Sequence, residues 1–203
     1  MNRQLSKPWA RALAALFAAG LISCACGQKA AAQSDANAGS SADAVAVQDF
    51  ENRVADYVKL HKAASGSVSR VKKPTDSAEK IEHYQHALRE AIQARRQGVT
   101  QGNIFTPPIC AQFRRLVGAA YRSDSSHIRT SLRTSEPGTA KVQIRVNHRY
   151  PDDEPLQTMP PSLLLNLPNL SPELEYRIVG RNLVLRDVEA NMIVDVIPRI
   201  IPQ

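Results

Sequence analysis

Residues 174–203 (LEYRIVGRNLVLRDVEANMIVDVIPRIIPQ) constrain the fold of this chain more than any other stretch, because they hold its densest run of β-formers. Tyr176, Ile178, Leu183, Leu185, Ile193 and Val194 favour a pleated surface. Gly180-Arg181-Asn182 tolerates positive φ at a first turn, and Val188-Glu189-Ala190-Asn191 supplies a second. The spacing predicts a three-strand meander over roughly 175–179, 183–186 and 192–197. Arg177, Arg186, Asp187 and Asp195 read as polar positions of that meander more than as a catalytic set.

The other end of the chain predicts a compartment. Arg3, Lys7 and Arg11 precede 12–23 (ALAALFAAGLIS), an uncharged apolar run about half as long as the ~20 residues of a spanning helix. That pattern is a secretory signal over 1–23, not an anchor helix. Leu21-Ile22-Ser23-Cys24 looks like a bacterial lipobox, which would make Cys24 the lipidated, palmitate-bearing N-terminus of a lipoprotein. Ala25 behind it resembles an outer-membrane address. Ordinary cleavage after Ala30-Ala31-Ala32 is the competing reading, and it would remove Cys24 and Cys26 together. Either way Cys110 has no structural partner, so no disulfide framework is expected. The formal charge of +7 falls to +4 once the three leader cations are removed. A surplus that small suits contact with anionic headgroups or cell-wall polymers and lacks the concentrated basic character of a nucleic-acid binder.

Between the two ends, 24–44 is rich in Ala, Ser, Gly and Asp and reads as a flexible tether, with one domain over 45–203. Val47, Phe50, Val54, Tyr57 and Val58 share one third of a helix circumference, which predicts a helix over roughly 45–62 with His61 half buried at its end. A mobile basic loop holding Arg70, Lys72 and Lys73 follows. Asp76 as N-cap, Glu79 as its capping-box partner and Gly98 as terminator frame a second helix with a stripe of Ile81, Tyr84, Leu88, Ala91 and Ile92. Thr106-Pro107 starts a third, running to about Arg122 with Ile109, Cys110, Phe113, Leu116, Val117, Ala120 and Tyr121 on one side. Cys110 is then a small buried hydrophobe, not a nucleophile.

Residues 123–139 read as a polar loop. Over 141–150 Val142, Ile144, Val146, His148 and Tyr150 alternate with polar residues, which predicts a strand with one apolar face. Lys141, Arg145 and Arg149 would form a basic row on its other face, able to meet a polyanion, although a solvated face gives the same pattern. Asp152, Asp153 and Glu154 lack the spacing of a calcium loop and read as turn residues. The leucines of 159–168 fit a short helix covering the sheet, or an exposed patch for a partner.

The constellation closest to metal chemistry is Glu79, His83, His86 and Glu90 on the outer face of the second helix. Imidazole and carboxylate suit a divalent metal such as zinc, nickel, cobalt or copper. Against that, the histidines stand i,i+3 where i,i+4 serves a single ion best, and i,i+4 acid–imidazole pairs on a solvated face need no metal. No cofactor is otherwise implied. G-x-S-x-G, Walker, dinucleotide, H-E-x-x-H and haem motifs are absent from the sequence, which lowers the expectation of an enzyme without removing it.

The run 176–187 (YRIVGRNLVLRD) followed by 193–197 (IVDVI) resembles the hairpin-plus-strand ending of small secreted bacterial proteins, some of them grouped with a periplasmic nickel/cobalt-homeostasis family. A longer part, including Thr106-Pro107 and 168–197, is similar to uncharacterised secreted or lipoprotein-like bacterial families. The resemblance implies a periplasmic setting. It carries over no metal site, since no ligand motif of that family is matched here.

These readings converge on an α+β protein of about three helices followed by a small antiparallel sheet. The expected function is non-enzymatic: a cell-envelope lipoprotein, membrane-anchored through Cys24, that binds an envelope protein or polymer. A metal-binding protein using the His/Glu ridge is one alternative. An envelope hydrolase joining His148 to Asp152 or Asp187 is another.

Overall fold

The computed structural model describes residues 27–69, 77–123, 126, 128, 130, 144–151 and 159–202. Cys24 and Cys26, the leader, the cations Arg70, Lys72 and Lys73, Asp76, Lys141 and the acids Asp152, Asp153 and Glu154 lie outside them. The class is α+β, as the sequence predicts. Helices α1 (Gly27–Gly66), α2 (Ala78–Arg95) and α3 (Pro107–Ser123), with a single turn of helix α4 (Pro161–Leu164), precede the strands β1 (Leu174–Val179), β2 (Asn182–Asp187) and β3 (Met192–Ile197). The chain divides after Ala38 into two compact units, and the second, Gly39–Gln203, holds the sheet, α2 to α4 and most of α1.

Helix α1 is longer than its apolar stripe. Its backbone is helical from Gly27, through the segment expected to be a tether, because the alanines that make the segment featureless are also the best helix formers. Burial in the second unit begins at Ala46 and follows the predicted stripe through Phe50, Val54, Tyr57 and Val58 to His61 and Ala64. The α2 cap is Ser77, one residue after the expected Asp76, and its side chain accepts from Lys80 N. Tyr84, Leu88 and Ile92 are buried as predicted, whereas Ile81 stays 42% exposed in the first turn and Arg89 is buried in its place. Gly98 has φ +74, the left-handed conformation that stops the helix. Helix α3 buries Ile109, Phe113, Val117, Gly118, Ala120 and Tyr121, with Cys110 half buried and its Sγ donating to Phe105 O at 3.1 Å. Burial pushes that thiol's pKa up, against the pull of Arg114.

The meander is antiparallel in the order β1-β2-β3. Register pairs Tyr176 with Leu185 and Ile178 with Leu183 on the face that meets the helices. A bulge shifts β3 against β2, so that Leu185 pairs with Asp195 and Arg186 with Ile193, leaving Val194 as the extra residue. That one insertion lets Val194 and Met192 share the helix side with Asp195 and Asp187, while Ile193 joins Val184, Val196, Val179 and Tyr150 in a second cluster on the other face. Every residue of β3 is buried, which explains why its sequence is a nearly continuous apolar run. On the helix side Phe50, Phe105 and Phe113 lie 5.4–5.9 Å apart between centroids, and Tyr176 sits 6.2 Å from Phe113 edge-on. These rings join α1, the loop before α3, α3 and β1 in one core.

The predicted strand over 141–150 is not formed across its described part. Residues 144–148 turn at Val146 and Asn147, and only Arg149 makes a bridge, to Met192. The cause is Asn147 at φ +63, a conformation asparagine adopts more readily than most residues. Gln93 Nε2 donates to its carbonyl at 2.5 Å, and Arg96 Nε donates to its Oδ1 at 2.8 Å. Asn147 N to Ile193 O, Ile193 N to His148 O and Tyr150 N to Asn191 O then seat the segment along β3. The loop expected over 123–139 also departs from expectation: Ser126, Ile128 and Thr130 are helical, and Ile128 is fully buried. In the leucine-rich segment Leu163 and Leu167 are buried, as a covering helix requires, while Leu164 and Leu165 face outward.

Candidate functional site

A buried group of titratable side chains lies where α1 meets the β2–β3 turn. Tyr57 and His61 stand i,i+4 on the buried stripe of α1, which places both over the same point of the sheet. That point is Asp187, which follows Leu183 and Leu185 on the inner face of β2 and is 0% exposed. Its Oδ2 accepts from Tyr57 OH at 2.6 Å and faces His61 Nδ1 at 2.7 Å. Its Oδ1 accepts from Ala190 N at 2.8 Å, closing the turn. Within that turn Glu189 reaches back, with Oε2 3.2 Å from His61 Nε2. His61 is 2% exposed, so one ring lies between two carboxylates with almost no water.

Arg96, also buried, holds the neighbouring ground. Its guanidinium carbon lies 4.9 Å over the Tyr57 ring, and Nη2 donates to Val194 O at 2.9 Å. Arg89 Nη1 donates to Ala190 O at 3.0 Å. The second buried acid, Asp195, faces backbone amides: it accepts from Gly102 N, Ile104 N, Phe105 N and Val196 N at 2.7–2.9 Å. Gly102 takes φ +90 to present its amide there.

These contacts set the protonation behaviour. Burial alone would push the His61 pKa down, but the hydrogen bonds and charges of Asp187 and Glu189 outweigh it and the net displacement is upward. Tyr57 is held well above the usual phenol range by burial and then by Asp187, which keeps it a donor. On the outer face burial pushes Glu175 up, yet its hydrogen bonds to Arg177 and Arg186, both 2.5 Å, outweigh that and hold it low.

Sequence reasoning places these residues differently. His61 is enclosed, not half buried, and Asp187, Asp195 and Arg186 are buried instead of lining a solvated meander. The available signal was parity: an aspartate alternating with Leu183 and Leu185 must face the core, where a charge needs a partner. The metal candidates Glu79, His83, His86 and Glu90 are all exposed on α2, and His86 Nδ1 pairs with Glu90 Oε2 at 3.4 Å, the solvated i,i+4 pairing. Among the described residues no group of three or more His, Cys, Asp or Glu is arranged to hold a metal ion. Of the basic row, Arg145 and Arg149 are exposed, but the turn between them removes the regular strand spacing, and Arg149 Nη1 pairs with Glu82 at 3.4 Å. His148 was expected on an apolar face; it is exposed, with Nδ1 3.0 Å from Val146 O, and it is His61 that pairs with Asp187.

Chemically, the Tyr57–His61–Asp187–Glu189 group is a tie. Both ring nitrogens face carboxylates, and Asp187 is filled by three donors, so neither group presents a free position to a substrate. Among the described residues no helix is long and apolar enough to cross a membrane. The chain matches no protein-family model, no curated protein and no solved structure.

Proposed function

We propose that this is a non-enzymatic protein of the bacterial cell envelope, anchored through a lipid on Cys24 and acting by contact with an envelope protein or polymer. The observation that carries the reading is Leu21-Ile22-Ser23-Cys24 directly behind a basic leader and an apolar run too short to span a bilayer. The binding role is supported from the other side by the site geometry: the buried Tyr57–His61–Asp187 group uses its polar atoms to fasten α1 to the sheet. A general base has to reach the proton it takes, and His61 is enclosed between Asp187 and Glu189.

Labelled palmitate supplied to cells producing the chain is expected to enter the protein, and globomycin to leave a larger unprocessed form. Cys24→Ser is expected to abolish both effects. No label and unchanged mobility in the wild-type chain would remove the anchor from the proposal, leaving cleavage after the 30–32 alanines as the route to a soluble form.

A further inference from the structure

The ring of His61 has to be reconciled with two acids. If it were neutral, one nitrogen would carry a lone pair and would face a carboxylate oxygen, at 2.7 Å toward Asp187 or at 3.2 Å toward Glu189. Only the doubly protonated ring donates to both. The wider setting holds two fully buried carboxylates, Asp187 and Asp195, and the buried cations Arg89, Arg96 and Arg186. The groups around the ring come from every neighbouring element. Tyr57 shares Asp187 Oδ2 from α1, Arg96 lies over Tyr57 from the segment after α2, and Arg89 of α2 holds Ala190 O. Lys62 beside His61 pairs with Glu173 at 3.5 Å, and Glu173 O accepts Val188 N at 3.0 Å. Glu189 is the one ring partner with substantial solvent access, its side chain 36% exposed.

We propose that the turn from Asp187 to Ala190 is a proton-operated clasp: the doubly protonated His61 ring staples it to α1 through both nitrogens, and loss of one ring proton releases Glu189 while Asp187 keeps its bond. The released part is the rim of the turn, Val188 and Glu189, which is the part that reaches the surface. The direction follows from linkage. A histidine whose folded-state pKa lies above its ordinary value near 6.5 contributes fully below that value and loses its contribution as pH rises through the folded pKa. The clasp is therefore closed in acid and opens above the ordinary histidine range.

The test is a long-range proton–nitrogen correlation spectrum of the imidazoles in the full chain in detergent micelles, followed against pH, with His61 assigned by its loss in His61→Gln. Both His61 nitrogens are expected in the protonated range at pH 6, with a midpoint above the ordinary histidine value near 6.5. Glu189→Gln, at a half-exposed position, is expected to fold and to move the His61 midpoint down. It should also flatten the fall of thermal midpoint with rising pH. A single neutral tautomer of His61 at pH 6 would overturn the proposal in the wild-type chain alone. So would a His61 midpoint that Glu189→Gln leaves unmoved, since a purely structural contact would cost stability without shifting the titration.

Discussion

At the scale of single residues, the two buried aspartates do different work and predict different losses. Asp195 gathers four backbone amides, three of them from the loop that leads into α3. Asp195→Asn puts an amide group where donors already point, and is expected to lower the unfolding free energy by roughly 3 kcal/mol, read from denaturant midpoints at unchanged slope. Leu165→Ser, at a side chain 85% exposed, is the matching control and is expected to stay within about 0.5 kcal/mol. Little of this scale is legible in the sequence. Tyr57, His61 and Asp187 are ordinary residues at ordinary spacings, and their meaning lies in a contact between positions 126 residues apart. Periodicity reports which side of an element a residue faces. It does not report what waits on the other side.

At the scale of elements, the meander and α3 are the most legible, because their signals are local. Gly180 has φ +58 in the two-residue turn between β1 and β2, and nothing lies within 4 Å of where a Cβ would be. Gly180→Ala is therefore a test of backbone strain alone, expected to cost about 1 kcal/mol in chemical denaturation. Misread elements also have local causes. One asparagine at positive φ bends the described part of the alternating pattern, residues 144–150, and alternation cannot register a single dihedral. The bulge at Val194 is equally silent in the sequence, yet it decides that Met192 faces the helices opposite Asp187 while Ile193 faces the other side. For α1, alanine content supports helix and tether alike, and the helical backbone from Gly27 resolves the choice.

At the scale of the whole molecule, the aromatic group of Phe50, Phe105, Phe113 and Tyr176 is where truncation should be felt everywhere. Phe113→Ala removes the ring that touches the other three, and is expected to cost about 3–5 kcal/mol and to broaden amide signals on α1 and β1 together. The long reach of the Asp187 tie has a further consequence, for the order in which the protein can be made. Among the described elements α1 is made first, and its buried stripe has its acceptor in the last quarter of the chain. Until synthesis passes Asp187, Tyr57 and His61 have no carboxylate and Phe50 has no Tyr176 in its cluster. A chain truncated before β1 should therefore leave α1 open to protease, whereas the same helix should be resistant in the full chain. Among the described helices, the first in the chain is the last to be finished.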